Sequence, residues 1–305
     1  MKSVVTTRQL EAFVNLVELR SFTRAASTIH LSQPAFSALI RGLEQALGAR
    51  LFDRTTRTVE LTAEGEVFAE SAQRLLRDAE QAIGDVQDHA ARKRGRVSVA
   101  VLPSLAAHWL PPLLARFHAL HPGIQLEVAD VLSEACIKRV ESGQADFALA
   151  STRSESPALR TEPFCTDDFH VVCATGHPLA DRKRLKLSDL NQHPIIQLAS
   201  SSSVRQNVDA ALYPRKLTTM MELDQLSTVA GMVKAGLGLS VVPTLTLFHF
   251  DAPGLVTIAL NAPGLKRQIF MVRRRDRVLS TAARALYDLV LAAKPNLAPA
   301  NKARG

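Results

Sequence analysis

The sequence changes texture at residue 95, and this break restricts the fold more than any other feature. Upstream of it, apolar residues recur every three or four positions, the period of amphipathic helices. Downstream, short β-prone runs alternate with helical stretches, the rhythm of a parallel sheet covered by helices. A helical unit and an α/β unit cannot share one layer, so a chain of 305 residues is expected to form at least two compact bodies.

Leu10, Phe13, Val14 and Val17 form the stripe of a helix over 7–19. Ser21 can cap a short helix over 22–29, where Ala25 and Ala26 leave flat surface for close approach of another helix. His30 and Leu31 make the turn. Ser32 is a good cap for a third helix, and Pro34 is tolerated in its first turn. Phe36, Leu39, Ile40, Leu43 and Leu47 carry the apolar face to a stop at Gly48. Two helices joined by a tight turn, the second capped by a hydroxyl residue, form a helix-turn-helix pattern. Residues 51–61 then offer two β-prone runs around a polar tip bearing Arg54 and Arg57, which reads as a wing.

Thr62 caps a long helix whose Glu64 and Glu66 suit the positive end of its dipole. Phe68, Ala72, Leu75, Ala79, Ala82, Val86 and His89 mark a heptad seam that runs to the basic stretch Arg92-Lys93-Arg94. A dimerising linker and a helix packed on its own domain both fit that seam.

Composition narrows the class. Hydrophobic residues at 47% and charged residues at 22% belong to a folded globular protein. No apolar run approaches the roughly 18 residues of a membrane span, and the N-terminal residues lack a signal peptide's apolar stretch, so a cytoplasmic location is expected. Cys136, Cys165 and Cys173 are an odd set with no C-x-x-C pair, which argues against a disulfide framework and a zinc ribbon. The net charge of +8 suits a polyanionic partner. Residues 1–94, however, hold 13 basic against 12 acidic side chains, so bulk charge does not locate a nucleic-acid site.

Beyond residue 95, strands are expected at 96–101, 125–131, 146–150, 169–174, 195–198, 220–223, 239–242, 255–260 and 268–273. Helices are expected near 104–120, 133–142, 203–213, 225–236 and 279–293.

Ser21-Phe22-Thr23-Arg24-Ala25-Ala26, Leu31-Ser32-Gln33-Pro34-Ala35-Phe36-Ser37, Leu43-Glu44, Leu47-Gly48, Leu51-Phe52-Asp53-Arg54 and Leu61-Thr62-Ala63-Glu64-Gly65 occur in an order that closely resembles the LysR-type transcriptional regulators. Weaker matches continue through Leu102-Pro103, His121-Pro122-Gly123, Gly143-Gln144-Ala145-Asp146, His177-Pro178-Leu179 and residues 236–243. The resemblance implies an α/β multidomain chain: a winged helix-turn-helix over 1–62, a dimerising linker helix over 63–94, and a periplasmic-binding-protein-like effector domain. The effector domain would comprise two α/β subdomains, 95–165 with 268–293 and 166–267, joined by crossings near 162–166 and 266–268, and followed by a tail at 294–305. The implied partners are promoter DNA, a small-molecule effector, a second copy as dimer or dimer of dimers, and RNA polymerase. No cofactor, metal or membrane is implied.

A helix N-terminus entering the major groove brings side chains to base edges and free amides to phosphates. Gln33 has the amide that pairs with adenine, Pro34 can press on a thymine methyl, and Ser37 lies one turn along. Ser32 opens this DNA-facing segment, and Arg41, Arg54 and Arg57 are expected at phosphates. Ala38 and Leu39 stand where the family often carries a polar or basic reader, which shifts specificity to Gln33, Ser37 and DNA shape.

In two-lobed α/β binders a ligand sits at the carboxyl ends of strands, facing helix N-termini. Pro103, Ser104 and Leu105 follow the first strand, and Ser151, Thr152 and Arg153 follow another. Ser200, Ser202 and Ser203 precede a helix, and Gly238 and Ser240 approach from the second lobe. This set would suit a small carboxylate or other anion, with Arg153 or Arg205 as charge partner. The serine run also reads as a plain polar loop, and Trp109 as core packing. His118 and His121 have ligand-like spacing but no acid or thiol set to join them.

Other classes fit poorly. Gly236 and Gly238 lack the third glycine of a dinucleotide site, and neither a phosphate-binding loop nor a nucleophile elbow occurs, so an enzyme is not expected. A solute-binding transport component would need export and would lack the helix-turn-helix. An architectural DNA protein would concentrate its basic excess on the DNA unit and would lack a sensor.

Overall fold

The computed structural model describes residues 5–54, 59–91, 95–295 and 297, with side chains for all of these except 54 and 80–91. Residues 1–95 with 142–144 form one compact unit, and 96–141 with 145–305 form the other.

In the first unit, α1 (Thr7–Leu19) starts with a reciprocal cap: Thr6 Oγ1 accepts from the Gln9 N–H, and the Gln9 side chain accepts from the Thr6 N–H. Arg20, at φ 47°, turns the chain out of that helix. Ser21 and Ser32 cap α2 (Phe22–Thr28) and α3 (Gln33–Leu47) by accepting from the N–H of the third helical residue, and Gly48 closes α3 at φ 70°. The three helices bury Phe13, Leu16, Phe36, Ile40 and Leu43 completely. Each such side chain contributes about 1.5–3 kcal/mol.

The wing follows as β1 (Phe52–Arg54) and β2 (Val59–Leu61), an antiparallel pair with Phe52 opposite Leu61. Its expected tip, with Arg57, lies outside the described residues, as does the Arg54 side chain. Glu44 ties α3 to the wing by accepting from the Leu51 and Phe52 N–H groups at 3.0 and 3.4 Å. The long α4 (Ala63–Ala91) is capped by Thr62. Phe68 and Ala72 of the expected seam pack into this unit's own core, with Phe68 5.1 Å from the Phe13 ring, whereas Leu75 is exposed. Seam positions 82, 86 and 89 have no described side chains.

The second unit is a mixed sheet rather than the expected purely parallel one. It runs through β3 (Gly95–Val101), α5 (Pro103–Ala106), α6 (Leu110–Leu120), β4 (Ile124–Asp130), α7 (Ser133–Glu141), β5 (Phe147–Ala150), β6 (Leu159–Ala174) and β7 (Arg184–Lys186). After β7 come β8 (Ile195–Leu198), α8 (Ser203–Leu212), β9 (Thr219–Leu223), α9 (Leu226–Lys234), β10 (Ser240–Pro243), β11 (Leu255–Asn261), β12 (Lys266–Arg274) and α10 (Thr281–Ala292). The main sheet has the order β4-β3-β5-β12-β6-β11-β7, with β10 also on β6, while β8 and β9 pair in parallel by themselves.

The single helix expected over 104–120 is two helices. Pro111 and Pro112 lack the N–H a helix interior needs, so a new helix starts at Leu110. The expected strand at 169–174 is the second half of the 16-residue β6. The first half of β6 runs antiparallel to β12 in the first lobe, and the second half carries β10 and β11 in the other. The crossing between lobes is therefore continuous strand, not loop. Each lobe keeps its own core, one around Phe147, Met271 and Leu286, the other around Val171, Ile196 and Val242.

Candidate functional site

The first candidate surface is the start of α3. Phe36, Ile40 and Leu43 face inward, the helix period leaves Pro34 and Arg41 exposed on the side away from them, Gln33 is exposed as the first residue of the helix, and Ser37 is half-buried. Ser32 is exposed, and its Oγ is engaged by the Ala35 N–H at 3.4 Å. The side chains that could read bases thus project from a helix braced by its cap, its core face and the Glu44 link to the wing.

The second is a cleft of about 300 Å³ inside the α/β unit. Of the sequence-selected residues, Pro103, Ser104, Ser202 and Ser203 line it. Residues from the first turns of α8 and α9 contribute Val204, Leu226 and Ser227, so the positive ends of two helices open on the same space. Ser202 Oγ caps α8 by accepting from the Val204 N–H at 3.3 Å.

Beneath the cleft lies a pair that local sequence reasoning did not single out. Arg267, only 2% exposed, donates through Nη2 to Asp167 Oδ2 at 2.7 Å and to Ser104 Oγ at 3.0 Å. Its Nε–H is buried without a partner among the described residues. Burial raises the Asp167 carboxyl above its ordinary value, while the Arg267 guanidinium and the Leu245 N–H pull the other way. A buried pair like this holds its geometry because losing one partner would strand the other charge. Asp130, Ser201, Asp224, Gln225, Thr246 and His249 complete the polar lining, and burial lowers the proton affinity of His249.

The remaining selected residues lie elsewhere. Leu105 is fully buried in the first lobe's core. The Ser151 N–H donates to Ser133 Oγ at 3.1 Å, and Arg153 is exposed outside the lining. Ser200 is engaged with Glu222 and Gln206. Ser240 is buried in β10 opposite Val172. Gly238 presses on Pro194, whose carbonyl oxygen would lie 2.5 Å from an added Cβ, so glycine there serves close backbone approach. Arg205 is spent on Asp209 and Glu222, and Trp109 donates to the Ala293 carbonyl while packing on Phe164. Asp167 and Arg267 carried no local signal because the sheet alone joins residues a hundred positions apart.

Two family profiles match the chain: "Bacterial regulatory helix-turn-helix protein, lysR family" over residues 7–66 and "LysR substrate binding domain" over 90–295. The uncharacterized HTH-type transcriptional regulator YbhD of Escherichia coli K12 is 31% identical over 284 residues, covering 92% of this chain and 90% of that one. A full-length OxyR variant from Pseudomonas aeruginosa aligns with a TM-score of 0.72 at 24% identity, over 95% of this chain and 94% of that one. Full-length CbnR solved in complex with its target DNA aligns with a TM-score of 0.70 at 21% identity, over 94% and 99%. With a helix-turn-helix profile over residues 7–66 and a substrate-binding-domain profile over 90–295, the chain belongs to the LysR-type transcriptional regulators, DNA-binding proteins with an effector-binding domain.

Proposed function

We propose that this regulator reads its operator with Gln33, Pro34 and Ser37 at base edges and with Ser32, Arg41, Arg54 and Arg57 at phosphates. The exposure of Gln33, Pro34 and Arg41 on a helix whose apolar face is fully buried supports this. Affinity then depends on self-association, as dimer or dimer of dimers, because residues 1–94 carry almost no net positive charge. The protein acts in the cytoplasm, and RNA polymerase is its further partner at the promoter.

We further propose that a small effector with a carboxylate or other anionic group sets the activity from the cleft. The observation that carries this is the convergence of Ser104, buried Arg267 and the first turns of α8 and α9 on one space. At about 300 Å³ the cleft lies at the small end of ligand sites, roughly 300–1,000 Å³.

The DNA assignment is tested with Gln33→Ala against an operator selected from random duplexes. Binding to that operator is expected to weaken by about 1–3 kcal/mol, with little change on random DNA at the same salt. Equal losses on both would reduce Gln33 to a general contact.

A further inference from the structure

We infer that the effector is a zwitterion of amino-acid type, with its carboxylate at Ser104, Arg267 and the two helix starts and its ammonium between Asp130 and Asp224. This rests on the reading of the cleft as the effector site and adds the second half of the ligand.

The argument begins with the charges on the lining. Arg267 is the one lysine or arginine among the described residues that line the cleft, and its charge is already matched by Asp167 at 2.7 Å. Asp130 and Asp224 also line the cleft, and neither carboxylate has a hydrogen bond or ion pair among the described residues. The cleft is thus acidic on balance. A ligand carrying only negative charge would gain from the helix starts but would meet two unneutralised carboxylates. A ligand with negative charge at one end and positive at the other satisfies both sets.

The placement follows the fold. Asp130 ends β4 in the first lobe, and Asp224 lies between β9 and α9 in the second. Ser104 lies in the first turn of the helix after β3, and Arg267 enters from β12, which pairs with β5 and with the first half of β6. An ammonium donates three hydrogen bonds and so can serve two carboxylates at once. An amine held by both aspartates would link the lobes. Partial burial raises the proton affinity of Asp130.

The test uses the full-length protein and matched probe sets. Each set holds an L-amino acid, its deaminated acid and its decarboxylated amine, for example phenylalanine, 3-phenylpropanoate and phenethylamine. The sets run over aliphatic, aromatic, acidic and basic side chains, with binding followed by thermal shift and calorimetry. At least one amino acid is expected to bind, with both truncated partners at least about tenfold weaker, the loss typical of a removed charged hydrogen bond. Asp130→Asn and Asp224→Asn should each reduce that preference, and the double variant should bind the deaminated acid as well as the amino acid. Both sites are exposed, so folding is expected to persist and is checked by circular dichroism. A deaminated acid that binds the wild type as tightly as its amino acid overturns the zwitterion while leaving the anionic reading standing. If neither acids nor amino acids bind in any set, both readings fall.

Discussion

His170 sits in β6 at 7% exposure, with Nδ1 3.5 Å from Thr244 Oγ1. Burial holds its proton affinity below the usual histidine value, as it does for His177 and His249. The unfolded chain takes up protons near pH 6.5 while these folded imidazoles resist, so stability is full above that pH and declines as the pH falls through it. The melting temperature is therefore expected to drop between pH 7.5 and 5.5. His170→Gln should flatten that slope, leaving the part that His177 and His249 contribute. An unchanged slope would place the proton uptake elsewhere. The thiols behave analogously: burial pushes Cys136 and Cys165 up to about 12, in keeping with small apolar core residues. Ser104 was legible as the hydroxyl following a strand end. Its partner Arg267 was not, because a lone arginine in a β-prone run gives no sign of being buried.

Between elements, the tightest joint in the DNA unit is where α4 begins. A Cβ at Gly65 would stand 2.2 Å from the Leu51 carbonyl oxygen and 2.9 Å from Leu61 Cδ2. The backbone oxygen cannot retreat without moving the wing. Gly65→Ala is expected to destabilise that unit by about 1–3 kcal/mol, read by hydrogen exchange of α1 and α3 amides. Gly231→Ala is the control: it is exposed within α9 with nothing in 4 Å of an added Cβ, and should stabilise by about 0.5–1 kcal/mol. Losses of similar size at both sites would discard the clash account. Caps at Ser21, Ser32 and Thr62 were readable because each acts within four residues of itself. The first half of β6 was hidden by Pro163, which reads as a strand breaker. It is tolerated because the register with β12 slips beside it: Ile269 pairs with Cys165 and Phe270 with Pro163, leaving Phe164 extra and buried on Trp109.

At the scale of the molecule, the cleft lies wholly within the α/β unit and the reading helix wholly within the other. A fragment of residues 95–305 is expected to fold, to keep the thermal response of the full chain to its effector, and to bind no operator DNA. A fragment that unfolds or loses that response would mean the sensor depends on the N-terminal unit. By itself, the sequence determined the two textures, the capped reading helix and the serine-bearing strand ends, all consequences of local periodicity and hydrogen bonding over a few positions. Tertiary structure alone decided that β6 runs unbroken from β12 at one end to β10 and β11 at the other, and that Asp167, Arg267 and Ser104 meet under the cleft. It also decided that Asp130 and Asp224 line the same space. Those outcomes depend on strand order and register, through which residues far apart in the chain become neighbours and acquire a charge environment that no short window of sequence contains.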